Sequence, residues 1–121
     1  AVKTYSPMFY VHWRLDKGAK AQLPAEYPER AAFVAEGAIE IDGQTFDEGQ
    51  MIVFSAGAPV LIEAVRTATV MLLGGETVGP RFVEWNFVSS RQERIDQAKA
   101  DWRAGRMKLP DLDHDEFIPL P

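Results

Sequence analysis

No cysteine occurs in the chain, which excludes disulfides, thiolate nucleophiles and zinc sites of the cysteine type, and fits a cytoplasmic protein. Histidine is almost as scarce. His12 and His114 are the only two imidazoles, which leaves little from which to build a histidine-rich metal centre or a serine–histidine hydrolase. A basic run is also missing: thirteen lysines and arginines are mixed with eighteen acids, for a net charge of −5. Nothing in that pattern would neutralise a row of phosphates, so no nucleic-acid contact is expected. No apolar stretch approaches the roughly 20 residues that cross a bilayer, and the opening "AVKTYSPMFYV" lacks the basic start and apolar run of a signal peptide. A soluble protein without a membrane partner is the expectation. Ala1 lies only a few residues before the first predicted strand, which suggests a fragment of something longer.

What is present is a regular succession of short apolar segments and turns. "MFYVHWRL" at residues 8 to 15 alternates, placing Phe9, Val11, Trp13 and Leu15 on one face and Tyr10, His12 and Arg14 on the other. The following "DKGAKAQLPAEYPE" is broken by Gly18, Pro24 and Pro28 and should be a loop with at most a short strand near residues 20 to 23. Asp42-Gly43 suits the positive φ values of a type I′ hairpin. "DEGQ" at 47 to 50 and the Gly57 to Pro59 stretch mark two more turns. Beyond them "VLIEAV" and "ATVMLLGGE" read as strands separated by a polar break at Arg66-Thr67, and "RFVEWNFVS" as one further strand. Strands this short and this evenly spaced predict an antiparallel sandwich or barrel.

From residue 89 the period changes. Ser90 with Glu93 makes a capping-box pattern, "RQERIDQAKADWRA" runs helically, and Gly105 is placed to end the helix. Ile95, Ala98 and Trp102 share one stripe of that helix, while Trp85 is expected to alternate with Val83 and Phe87 on a strand face. An apolar seam explains these aromatics better than a ligand platform. The tail "KLPDLDHDEFIPLP" carries Phe117, Ile118 and Leu120, which should pack back onto the body.

Few residues suggest chemistry of their own. His12 reads as a solvent- or interface-facing side chain, and His114 lies in a solvated acidic turn that lacks the spacing of a calcium loop. "LLGGE" has no following Gly-Lys-Ser/Thr, and Ser55, Ser89 and Ser90 have no neighbouring base. The carboxylates could supply a glycosidase-like pair, but nothing in the sequence sets two of them face to face.

The stretch "AAFVAEGAIEIDGQTFDEGQMIVFSAGAPV" resembles a cupin core, with its Glu-Gly step, hairpin, Gly turn and Ala-Gly step. "VMLLGGETVGPRFVEWNFVSSRQERIDQAKADWRAGRM" and the closing "DEFIPLP" resemble the C-terminal half of pirin-like bicupin proteins, and the similarity runs over nearly the whole chain. The resemblance implies an all-β cupin jelly-roll β-barrel with one C-terminal α-helix and an extended tail. As a single domain over 1–121, it would place the barrel at about 5–88, the helix at about 90–104 and the tail at 105–121.

It also implies a parent with two barrels, whose N-terminal cupin holds iron through histidines and a glutamate. Some members of the family are credited with quercetin 2,3-dioxygenase activity, and animal members with a role as nuclear transcription cofactors. In a metal-binding cupin, the positions counted back from Gly37 would carry a His-any-His pair; here they are Leu23 and Ala25. A lone acid, Glu29 or Glu26, remains nearby, and the ligand expected after Ala56-Gly57 falls at about Val60. Non-haem iron needs about three converging ligands, so no catalytic, cofactor or metal residue is expected in this chain.

The expected role is therefore a metal-free C-terminal domain that supports an N-terminal cupin, with His12, Trp13, Trp85, Phe87, Ile95 and Trp102 as candidates for a domain interface or packing seam. A homodimer that mimics the bicupin is a further expectation. The alternatives are a share in an iron-dependent quercetin 2,3-dioxygenase and a module that binds a small ligand or a protein inside the barrel.

Overall fold

Two long strands organise the first part of the chain, and each changes partners along its length. The computed structural model describes residues 3–121, so Ala1 lies outside the described residues. In chain order the elements are β1 (Met8–Leu15), β2 (Lys20–Leu23), β3 (Glu29–Ile41), β4 (Gln44–Asp47), β5 (Met51–Phe54), β6 (Val60–Gly75), β7 (Phe82–Glu84), β8 (Phe87–Ser89) and α1 (Gln92–Arg103). They fall into two compact units, one ending at Val78 and the other spanning Gly79–Pro121.

In the first unit β3 and β6 run antiparallel in the middle of a six-stranded sheet. The later part of β6 pairs with β1, from Ala68 opposite Leu15 to Gly75 opposite Met8, while the early part of β3 pairs with β5. The early part of β6 pairs instead with β2, and the later part of β3 with β4. Each half of the sheet is thus four strands wide. Between the halves the β3–β6 register shifts three times, between Val34 and Ile39. Gly37 sits there at φ +81, and a Cβ on it would lie 2.1 Å from the Thr67 carbonyl oxygen. The cupin-like Glu-Gly step is therefore a bulge at which the backbones of β3 and β6 come too close for any side chain.

The polar break expected at Arg66-Thr67 does not interrupt the strand. β6 is continuous over 16 residues, because the bend is taken up by the bulged partner and Arg66 finds polar partners along its edge. Its guanidinium donates to the Gly37 carbonyl at 3.3 Å and to Asp47 Oδ1 at 2.8 Å. The hairpin at Asp42-Gly43 forms as expected, with φ values of +50 and +77.

Alternation decides what the two halves bury. Leu23, Ile39 and Ile62 from one half and Val34, Val70 and Leu72 from the other belong to one apolar cluster. Phe9, Trp13, Leu15, Phe46 and Phe54 pack at its margin. The hydrogen-bonded path β1-β6-β3-β4 does not close on itself. The barrel expected from the sequence is, in hydrogen-bonding terms, an open sheet whose two inner faces share a core; mostly β architecture is retained.

The second unit corrects the reading of "RFVEWNFVS" as one strand. It is a separate hairpin: β7 and β8 pair with Glu84 opposite Phe87, leaving Trp85 and Asn86 to make the turn. Trp85 has φ +51, a conformation unusual for a bulky residue. It therefore does not share a strand face with Val83 and Phe87 but is swung out at the corner, where its ring meets Phe87 edge-on at 5.5 Å and Trp102 at 5.3 Å. Helix α1 begins later than expected. Arg91 is its N-cap residue, without a side-chain cap bond, and the Ser89 hydroxyl rather than that of Ser90 accepts the Arg91 N–H, at 3.2 Å.

At the other end Gly105, at φ +65, donates its N–H to the Trp102 carbonyl, and Arg106 donates to the Asp101 carbonyl. This pair of bonds is the Schellman stop that Gly105 suggested. The Asp101 carboxylate is held below the usual aspartate range by hydrogen bonds from Arg106 and Gln97. Ile95 is fully buried, whereas Ala98 and Trp102 are only half-buried.

The tail returns to the helix. Phe117 stacks on Trp102 at 4.8 Å, and the Trp102 indole N–H donates to the Ile118 carbonyl at 2.9 Å. Replacing Trp102 by alanine removes two ring contacts and one hydrogen bond but only half-buried surface, so the loss should be about 2 kcal/mol, below the 3 to 5 kcal/mol of a fully buried tryptophan. Limited proteolysis checks this: cleavage between residues 106 and 121 should accelerate in Trp102→Ala, and an unchanged cleavage rate would show that the ring does not hold the tail.

Candidate interface and apolar pocket

The outer faces of the two sheet halves differ in character. On the half built from β2, β6, β3 and β4, the outward positions are mostly polar: Gln22 lies opposite Leu61, the apolar exception, and Lys20 opposite Glu63, which in turn faces Glu40. Lys20 and Glu63 form an ion pair at 2.9 Å, and that hydrogen bond raises the lysine pKa. On the half built from β1, β6, β3 and β5, the outward rows are apolar. Tyr10, Leu73, Ala31 and Val53 stand side by side across the four strands, and His12, Met71, Phe33 and Met51 form the next row. Tyr10 is 63% exposed, Met51 56% and Val53 78%. Four strands presenting two such rows form a contiguous apolar surface of the kind that marks an interaction site.

His12 sits within that surface, opposite Met71, and Trp13 points the opposite way, to the inner side. The remaining sequence candidates lie in the second unit, where Trp85, Phe87 and Trp102 form one aromatic group and Ile95 is buried. The six candidates are thus divided between the two units, His12 and Trp13 in the first and the other four in the second. Reading by strand missed the apolar rows because it examined β1 alone, where Tyr10, His12 and Arg14 look polar. The signal lay in the uninterrupted apolar run VMLLGG that ends β6, since a strand apolar on both faces does not alternate.

The positions where a cupin would hold its metal carry other chemistry. Leu23 and Val60 are cross-strand partners, with Leu23 in the core and Val60 packed against it, and Ala25 lies in the exposed loop between β2 and β3. Glu29 accepts a hydrogen bond from the Thr77 hydroxyl at 3.3 Å. Among the described residues no three histidine, aspartate or glutamate side chains converge. Aliphatic side chains at those places do not fit an iron ion.

Beside Leu23 there is instead a pocket of about 220 Å³ lined by Phe9, Trp13, Tyr27, Leu72 and one carboxylate, Glu26. Its rim is fixed by a residue the sequence reading passed over. Arg30 is 2% exposed, and its guanidinium donates to the carbonyls of Pro24, Ser55 and Ala58, each at 2.9 Å, while its Nε has no partner among the described residues.

Among the described residues no helix is long and apolar enough to cross a membrane. The model of the Pirin C-terminal cupin domain matches residues 10–108. A pirin-like protein of Caulobacter vibrioides is 66% identical over 121 residues, which is all of this chain and 42% of that protein. Two crystal structures of quercetin 2,3-dioxygenase from Acinetobacter baumannii share the fold. One has a TM-score of 0.83 at 24% identity, covering 99% of this chain and 42% of the other. The second has a TM-score of 0.76 at 23% identity, covering 88% and 38%. The chain thus spans less than half the length of these relatives, and the residues matched, from β1 through α1, make it a member of the pirin C-terminal cupin domain family.

Proposed function

We propose that this chain is a metal-free, non-catalytic C-terminal cupin domain over 1–121 that supports an N-terminal, iron-holding cupin of the same cytoplasmic protein. In this reading its first unit completes a jelly-roll barrel. The observation that carries the proposal is the apolar outer face of Tyr10, Met51, Val53, Met71 and Leu73, set against the mostly polar outer face of the other sheet half. More than half of the Caulobacter vibrioides relative lies outside the matched length, so a further domain of the same protein is the occupant chosen for that face. Leu23 and Val60 in the core support the metal-free part of the reading.

The test uses Val53→Asp together with Met51→Lys. Both side chains are largely exposed, so stability should stay within about 0.5 kcal/mol. Association with a separately produced N-terminal region of the relative should be lost, as read by sedimentation. Unchanged association would refute the docking face. Loss of self-association alone would make a second copy of the chain the occupant.

A second reading, supported by the likeness to the Acinetobacter baumannii structures, is that the complete protein is an iron-dependent quercetin 2,3-dioxygenase to which this domain contributes. Metal analysis and oxygen uptake with quercetin address both readings. The chain alone should hold no stoichiometric iron and show no turnover, and the opposite result would overturn its non-catalytic role.

A further inference from the structure

We infer that the pocket beside Leu23 binds a small organic ammonium compound with an apolar, ring-sized body. The pocket is independent of the docking face: Phe9, Val11 and Trp13 line it, whereas Tyr10 and His12 point the other way from β1. Its volume of about 220 Å³ exceeds the roughly 150 Å³ of an apolar cavity that takes up benzene.

The lining selects the ligand's charge. Three aromatic side chains, Phe9, Trp13 and Tyr27, are joined by Leu23, Leu72 and a single carboxylate, Glu26. An anion would meet Glu26 with like charge. An inorganic cation would have to shed water against largely apolar walls, with one carboxylate to replace it. A purely hydrocarbon ligand would leave Glu26, an exposed carboxylate on the lining, without a partner. An ammonium group on an apolar body meets each of these demands, because the carboxylate pairs with the charge and the ring faces attract it.

The walls are held in place before any ligand arrives. Arg30 ties the Pro24 carbonyl on one side of the pocket to Ser55 and Ala58 on the neighbouring turn. The Phe9 and Tyr27 rings touch at 5.5 Å. Gly74 leaves room for Phe9, since a Cβ there would stand 2.6 Å from the ring. A pocket whose walls are locked by packing loses little entropy on binding.

Titration of the 15N-labelled 121-residue chain with benzylamine, benzyl alcohol and benzoate tests the assignment. These probes share a ring and differ in charge. Benzylamine should move the Trp13, Leu23 and Tyr27 signals saturably, benzyl alcohol should bind more weakly, and benzoate least. Glu26→Gln should weaken benzylamine binding about fivefold and leave benzyl alcohol within about twofold. Val11→Phe, which fills the pocket from β1, should abolish binding of both while the fold's spectrum persists. Benzoate binding as tightly as benzylamine, an unchanged affinity in Glu26→Gln, shifts confined to other surfaces, or no saturable shift with any probe would each overturn the proposal.

Discussion

Replacing Gly37 by alanine should destabilise the first unit by about 4 kcal/mol, one of the two largest losses expected from a single substitution in this chain. Two costs combine. The residue sits at φ +81, and a Cβ would stand 2.1 Å from the Thr67 oxygen and 2.9 Å from the Ala68 Cα. The obstruction is backbone on the neighbouring long strand, so no rotamer change relieves it. The comparison is Gly43→Ala, at φ +77 with nothing within 4 Å of the added carbon. That variant bears only the left-handed conformation, about 1 to 2 kcal/mol. Urea unfolding of the two variants separates strain from clash. Equal losses would mean that β6 can move away from Gly37 at little cost, and that the bulge is not what fixes the bend.

This pair of glycines also shows where sequence reading succeeds and stops. Asp42-Gly43 is legible because a two-residue turn is a local problem: the dipeptide supplies the φ values, and the hairpin follows. Gly37 is legible as a motif position, but its reason is not, since Thr67 lies 30 residues away and meets it only through β3–β6 pairing. Arg66-Thr67 misleads for the same cause. Two polar residues look like a break until Asp47 and the Gly37 carbonyl arrive as partners. Trp85 fails for a different reason. Its neighbours have strand character, and only the pairing of Glu84 with Phe87 shows that it turns a corner. The exclusion of metal ligands at Leu23, Ala25 and Val60 needed no structure, because residue type alone rules out donors. The pocket that lies beside Leu23, and the apolar face on the other side of the sheet, depend on which strands become neighbours.

Arg30 is the residue on which the second large effect is expected. Its sequence context offers no warning, since an arginine between Glu29 and Ala31 reads as a solvent-facing position. In the fold the alternation of β3 turns it inward with Ala32 and Val34, and it is 2% exposed. Among the described residues no carboxylate takes part in its hydrogen bonding. Three backbone carbonyls do, from Pro24, Ser55 and Ala58, so the guanidinium acts as a cross-brace between the β2–β3 loop and the β5–β6 turn. Removing it strands those acceptors and leaves a void, although the unpartnered Nε means that some desolvation cost is recovered. Arg30→Ala should therefore cost about 3 kcal/mol. Arg30→Lys should restore only part of it, because a single ammonium nitrogen cannot span carbonyls arranged for a planar fork. The loss should also be local. Amide hydrogen exchange should quicken across residues 24–28 and 55–59 well before the β3–β6 ladder loosens. The same loop carries Glu26 and Tyr27, so benzylamine binding should weaken in parallel. A variant with native exchange in both loops and a native unfolding midpoint would show that backbone packing alone holds this end of the sheet, and that the buried charge is incidental.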